Sequence, residues 1–148
     1  MSLSHIQTPL VLVARDKAND AYNICSSTLT ELGETIPNPD LVEPESVKKE
    51  IAETINMYNQ VCEDDNGWLK REVDDSKERI VDKFYGTIAQ ACFFSNRKKM
   101  CAYFACKGFQ LSLRNGLCQY TPINGIHFAL VALHVAFATI KDQNAVVV

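Results

Sequence analysis

Two histidines and a nearby cysteine carry the side-chain types that bind transition metals. His127 and His134 lie seven residues apart, on one face of a helix, and Cys118 precedes them. Imidazole and thiolate are zinc ligands, but a site needs more ligands than these three, usually at i, i+4 or CxxC spacing. We therefore expect no metal site here. Both histidines are expected to be buried or partly buried and bonded to a neighbouring carbonyl.

Cysteine is the other residue type with possible chemistry. Cys101 and Cys106 point in different directions on a helix, and no His and Asn partner set for a nucleophile is evident. Most of the cysteines lie in apolar stretches, where a thiol behaves as a small hydrophobe. The first residues lack a basic leader and a small-residue cleavage site, so a secretory signal and a disulfide framework are not expected. We predict reduced, packed thiols and a cytoplasmic protein. The six positions are 25, 62, 92, 101, 106 and 118.

Motifs for nucleotide, calcium and nucleic-acid binding are absent from the sequence. There is no GxxxxGK[ST] phosphate loop, and the acidic runs at 63–65 and 74–75 lack the twelve-residue calcium-loop pattern. A net charge of −3 and a pI of about 5.6 do not favour nucleic acid or an anionic membrane as partner. The cluster Arg97-Lys98-Lys99, with Lys107 and Arg114 further along, forms either a basic ridge for an acidic partner or, more commonly, a solvated helix start. We predict no catalytic, cofactor-binding or metal-binding residue and no cofactor.

The elements that would position these residues are helices. Apolar residues recur every three or four positions and no two-residue alternation persists, which predicts an all-α fold. With 148 residues, 47% of them hydrophobic, the chain can bury one core, and short turns favour antiparallel neighbours. We expect a single helical domain over 1–148. Its divisions are a helical hairpin over 3–33, a Pro-rich loop over 34–46, a helix over 47–60, an acidic loop over 61–74, three long helices over 75–140 and a frayed tail over 141–148.

Local signals set these boundaries in the first part of the chain. Pro9 interrupts the first apolar stripe, and the polar triplet 15–17 is predicted to be the turn of the hairpin. Gly33 is expected to end the second helix in the left-handed conformation. Asp75 is expected to cap the helix that follows the acidic loop, with Glu78 completing a capping box.

The last helix has equally clear signals. Asn115-Gly116 suits a left-handed helix end, and Thr121 followed by Pro122 suits an N-cap and first helical position. The apolar run 126–140 is shorter than the ~20 residues that span a bilayer, so we predict a core helix rather than a membrane anchor. Trp68, the single tryptophan, is predicted either to fold back onto the core or to anchor a partner.

Three stretches resemble a known family. The run DKANDAYNICSSTLTELGETIP, in which Leu32-Gly33 is followed by a two-residue step and Ile36-Pro37, looks like the second helix of a tetratricopeptide-like pair. This pair occurs in large predicted-ATPase signalling proteins of the AAA/STAND type. The run LSLRNGLCQYTP over 111–122 is similar to the family's helix, Asn/His-Gly turn and small-residue start of the following helix. A third likeness runs from Asp75-Ser76-Lys77 to Phe94-Ser95-Asn96.

The resemblance spans roughly 3–140 and implies antiparallel hairpins stacked as a tetratricopeptide-like α-solenoid. In such proteins the helical region lies between an ATPase module and kinase or sensor output domains. The phosphate loop is missing here, so no ATPase activity carries over. The family continues beyond Pro122 with a further loop and helix, whereas this chain stops soon after Ile140. This difference suggests a piece of a longer helical array or a truncated gene model.

Two functions from different classes follow. The first is a non-catalytic module for protein–protein interaction or regulatory scaffolding, whose partner is another protein or an adjacent domain. The alternative is a small helical-bundle enzyme or ligand-binding protein. Its pocket would be lined by Tyr85, Tyr103, Tyr120, His127 and Cys118.

Overall fold

The protein is described by a computed structural model that covers residues 3–63 and 67–146. Within these ranges it is all-helical, as predicted, and its one β-type feature is an isolated parallel bridge between Glu72 and Leu117. The helices are α1 (Leu3–Glu31), α2 (Pro44–Glu63), the single turn α3 (Gly67–Lys70), α4 (Ser76–Phe94), α5 (Lys98–Asn115) and α6 (Thr121–Val146), with a 3₁₀ turn at Pro39–Leu41.

The predicted hairpin over 3–33 is wrong, because α1 is one continuous helix from Leu3 to Glu31. The triplet Arg15, Asp16 and Lys17 is fully helical and all three side chains are exposed. A polar triplet without glycine or proline fits the solvent side of a helix as well as it fits a turn. The chain therefore enters the core with a single helix.

The other predicted boundaries differ more mildly from the structure. The helix predicted over 47–60 runs from Pro44 to Glu63, and the tail predicted to fray remains helical to Val146. The predicted acidic loop holds α3 and a buried Val73, whose amide donates to the carbonyl of Leu117 at 2.9 Å. Residues 64–66 of that loop and 147–148 of the tail lie outside the described residues.

The helix ends follow the predicted local chemistry in most places. Gly33 has φ of 92°. Its amide donates to the carbonyl of Thr30, and the amide of Glu34 donates to the carbonyl of Leu29, which are the two hydrogen bonds of a Schellman helix end. Asp75 caps α4 by accepting from the amide of Lys77 at 2.8 Å. Gly116 has φ of 107° and a Cβ there would lie 3.0 Å from the carbonyl oxygen of Arg71, so glycine is required by both conformation and space.

The antiparallel pair α4/α5 forms the centre of the molecule. α1 packs along α4, α2 packs on α5, and α6 lies against both. Consecutive helices α1 and α2 thus pack mainly on opposite members of the central pair. The core between them contains the most deeply buried apolar side chains: Leu29, Ile88, Cys92, Phe104, Cys106 and Leu113.

Hydrophobic periodicity alone does not identify the buried faces of α2 and α4. Ile55, Tyr58 and Ile80 continue the three- and four-residue spacing of buried neighbours, yet each is exposed by more than two fifths. Thr54 and Asp82 are buried in their place. Buried polar groups of this kind need partners from other helices, and hydrophobic periodicity does not reveal such partners.

Candidate interaction surface on the last helix

The first residues of α6 are fixed by hydrogen bonds to α5 and to the connection before it. The hydroxyl of Thr121 lies 3.2 Å from that of Ser112, and it accepts from the amide of Cys118 at 2.9 Å. Thr121 was predicted as the N-cap of α6, but it is the first helical residue and its hydroxyl bonds backward along the chain. The side chain therefore ties the helix start to α5.

A buried polar cluster holds α6 against α4. Asp82 is 1% exposed, and its Oδ2 accepts from the thiol of Cys118 at 3.2 Å. The side-chain amide of Asn124 donates to the carbonyl of Asp82 at 3.2 Å. The other carboxylate oxygen, Oδ1, has no hydrogen-bond partner among the described residues. This cluster has no local signature in the sequence, because its partners come from positions about forty residues apart.

Two glycines let the helices approach around Asn124. A Cβ on Gly86 of α4 would lie 2.7 Å from Oδ1 of Asn124, and a Cβ on Gly108 of α5 would lie 3.2 Å from Cβ of Tyr85. Contacts this short force a neighbour to shift. The rotation of α6 about its own axis is therefore set by close packing and by the buried amide.

Burial raises the pKa of Asp82 from its ordinary value of 3.8 to about 6, an effect that the Cys118 hydrogen bond only partly offsets. The folded protein thus binds this proton more tightly than the unfolded chain does. The contribution of protonated Asp82 to the free energy of unfolding is fully present below about pH 4. It falls as the pH rises toward 6 and is absent above that.

We expect Asp82→Asn to raise the free energy of unfolding by about 1–2 kcal/mol at pH 8, because it removes the buried charge and keeps an acceptor for Cys118. Urea unfolding at a series of pH values measures this. The variant should also lose the decrease in stability between pH 4 and 6. Asp20→Asn, at an exposed position of α1, is the matched control, and an unchanged slope in Asp82→Asn contradicts the prediction.

The inner face of α6 packs on aromatic side chains of the core. Phe128 stacks on Phe109 with ring centroids 5.3 Å apart, and Phe109 in turn contacts Trp68 edge-on at 6.4 Å. The indole of Trp68 donates to the carbonyl of Ser112 at 2.8 Å. Of the two interpretations of Trp68, the structure supports the core one.

The outer face of α6 is also apolar, yet it is exposed. Its side chains lie on the side of the helix opposite Asn124 and Phe128. We call this row the α6 stripe. Its members and exposed fractions are Ile123 45%, Ile126 54%, Leu130 61%, Leu133 55% and Phe137 68%.

The spacing of the α6 stripe is three, four, three and four residues. This is the heptad spacing that lines a helix–helix seam. The pattern was readable in the sequence, but an inner apolar face on the same helix made the whole segment look like a core helix. By length and composition the segment Thr121–Ala138 also meets the criterion for a membrane span, and 17% of it is buried. The prediction of a core helix therefore holds only for the inner face of α6.

The five residues predicted for a ligand pocket play separate roles. Tyr85 is in the core, Cys118 bonds Asp82, and Tyr120 accepts from the side-chain amide of Gln119. Burial raises the pKa of Tyr85 and Tyr103. None of the five lines the open cavity of about 320 Å³ found elsewhere on the protein, whose lining includes Leu32, Glu34, Asp75, Val81, Leu111 and Asn115.

The histidines and cysteines form no metal cluster within the described residues. His127 is partly buried, burial lowers its pKa, and its Nδ1 has no hydrogen-bond partner there, while His134 is exposed. The expected bond to a carbonyl is therefore not seen for Nδ1 of His127. All six cysteines are free, and burial raises the pKa of Cys92 and Cys106 to about 12.

In the basic cluster at the start of α5, one side chain packs against α1 and the two lysines are exposed to solvent. The guanidinium of Arg97 lies over the ring of Tyr22, 3.9 Å from its centroid, and donates to Asn19 at 3.1 Å. Lys98 and Lys99 are exposed. Arg97 therefore joins α5 to α1, and Lys107 pairs with Glu50 at 3.2 Å. Of the predicted ridge, Lys98, Lys99 and Arg114 remain exposed.

Comparison of the chain with protein-family models, with curated proteins and with solved structures finds no match. The α6 stripe is consequently interpreted from its own chemistry.

Proposed function

We propose that this chain is a non-catalytic helical module for protein–protein interaction or regulatory scaffolding, and that the α6 stripe is its docking surface. The exposed apolar stripe is the observation that carries the proposal. Contiguous apolar surface of several large side chains is unusual on a monomeric soluble protein and marks interaction sites.

The chemistry of the surface favours another helix as the docked element. Amphipathic helices are recognised through apolar side chains repeating every three or four residues, which matches the α6 stripe from Ile123 to Phe137. The buried contacts of Asn124 and Phe128 hold the stripe outward without any rearrangement of the fold. Docking therefore requires little reordering of the free protein, which favours binding.

The sequence resemblance is compatible with this proposal. In the helical regions of AAA/STAND-type signalling proteins, stacked helix pairs connect an ATPase to its output domains. A cytoplasmic module of that kind would bury its last apolar face against a neighbouring repeat or domain. The stacked-array arrangement and the link to signalling are parts of the proposal that rest on the resemblance alone.

The alternative class, a helical-bundle enzyme or ligand-binding protein, has less support. It needs polar side chains converging on one cavity. The residues named for that pocket are distributed between the core, the polar cluster and the surface.

A photo-reactive phenylalanine analogue at position 133 tests the docking function in the cells that make the protein. We expect irradiation to attach a protein partner at position 133, because Leu133 lies in the middle of the stripe and is 55% exposed. The readout is the mass of the adduct on a denaturing gel, followed by peptide mass spectrometry.

The matched control places the same analogue at Ile24 of α1, which is 63% exposed and lies outside the stripe. An adduct at 133 and none at 24 supports the proposal. Equal labelling at both positions, or no protein adduct at 133 in a folded chain, overturns it.

A further inference from the structure

We propose that two copies of this chain pair through their α6 stripes, helix against helix, to form a twofold dimer. This inference rests on the proposed function, since it names the partner for the same surface.

The spacing of the stripe defines the geometry of the partner. Alternating steps of three and four residues keep the stripe nearly straight along α6 from Ile123 to Phe137. A straight seam of this length fits a second long helix lying almost along the first, with side chains of one helix between those of the other. It does not fit an extended peptide, whose contacts repeat every two residues.

The charge of α6 limits the chemistry of that partner. No Asp, Glu, Lys or Arg occurs in the sequence from Thr121 to Ile140. A partner with charged groups at the seam would bury them unpaired, which is strongly unfavourable. The partner helix must therefore present an uncharged apolar row.

Among the described residues, the surface that meets this requirement is the α6 stripe itself. Where burial is described, the remaining exposed large apolar side chains are distributed over α1, α2, α4 and the 3₁₀ turn, as with Ile24, Leu41 and Ile80. None forms a row of comparable length. A surface that is complementary to itself is what a twofold interface requires.

The available area agrees with a reversible dimer. From their exposed fractions, the five stripe side chains offer on the order of 500–600 Å² per copy, near the lower end for a specific interface. Ala129 and Ala136 are exposed beside the stripe, and their small side chains let two helices approach closely. We therefore infer a dimer that forms and dissociates with concentration.

Sedimentation equilibrium of the full chain across the micromolar range tests the proposal. Wild type is expected to approach twice the monomer mass of 16.6 kDa as concentration rises. Leu130→Glu and Leu133→Glu should weaken association at least about tenfold, since each buries one carboxylate per copy in an apolar seam. Leu130→Ala is the milder variant, and thermal melts followed by circular dichroism show that each variant folds.

Ile24→Glu and Phe93→Glu are the matched controls, because both remove an exposed apolar side chain outside the stripe. They should dimerise like wild type. A wild-type chain that stays monomeric throughout overturns the proposal, and so does equal weakening by the controls. Binding to neutral phosphatidylcholine vesicles without a dimer in solution also overturns it.

Cross-linking at position 133 separates failure of this inference from failure of the proposed function. An adduct of two copies of this chain supports the dimer. An adduct with a different protein overturns the dimer and leaves the docking function standing. The absence of any protein adduct overturns both.

Discussion

Replacing Phe104 with alanine is expected to lower the free energy of unfolding by about 3–5 kcal/mol. Phe104 is 0% exposed at the centre of the α4/α5 pair. Its ring contacts Tyr22 of α1 at 6.3 Å, Tyr85 of α4 at 6.2 Å and Tyr103 at 5.4 Å between centroids. The truncation would leave a cavity between α1, α4 and α5. Because these helices are also held in place by their other contacts, they cannot move together to fill it. Urea unfolding followed by circular dichroism measures the change.

Phe93→Ala is the matched control for this prediction. The same side chain is removed, but Phe93 is 71% exposed near the end of α4 and its one described ring contact is with Phe94. We expect a change within about 0.5 kcal/mol. If Phe104→Ala were no more destabilising than Phe93→Ala, the described core would be wrong.

Helix ends are the part of this fold that the sequence predicts best. Gly33, Asp75 and Gly116 act where they were expected to act, because a cap or a left-handed residue depends on a few neighbouring backbone groups. The burial of Phe104 also agrees with a pattern in the sequence, because this residue belongs to the apolar spacing of α5. A large apolar side chain in a helix with strong three- and four-residue apolar periodicity is usually buried in the core.

The first helix was mispredicted for a physical reason. Polar residues such as Arg15, Asp16 and Lys17 are common both in turns and on the exposed face of a helix, which is where they lie in α1. A turn and a continuous helix differ in what the flanking segments pack against. Here α1 packs along α4, which lies some seventy residues later in the sequence, so the local sequence does not distinguish the two structures.

The buried polar residues show the same dependence on distant partners. Asp82 is a typical surface residue by type, yet it is buried and bonded to Cys118 and Asn124 from the α6 region. Gln110 is a second example, since its side-chain amide donates to Glu50 and Thr54 of α2 at 2.9 Å each. Neither network has a local signature in the sequence.

The α6 stripe was partly predictable. Its heptad spacing is in the sequence, but the inner residues Phe128 and Val131 are apolar too, and a helix that is apolar on both sides is normally fully buried. The structure distinguishes the two faces because the polar cluster fixes which side of α6 meets α4. The surface that is proposed to dock a partner thus depends on contacts made beneath it.

Gly86→Ala is expected to destabilise the protein by about 1–3 kcal/mol, although alanine is the better helix former by about 1 kcal/mol. The new Cβ would lie 2.7 Å from Oδ1 of Asn124, whose buried amide is held by the carbonyl of Asp82. Either α6 moves away from α4 or this hydrogen bond breaks. Thermal or urea unfolding measures the loss.

A double-mutant cycle and a second glycine identify the cause. In an Asn124→Ala background the clashing atom is absent, so Gly86→Ala should be less destabilising there, with a coupling of at least about 1 kcal/mol. Gly125→Ala is the matched control within α6, because its Cβ meets nothing closer than Phe109 at 3.5 Å. It should be neutral or slightly stabilising. Additive effects of Gly86→Ala and Asn124→Ala would mean that contact with Asn124 does not set the distance between α4 and α6.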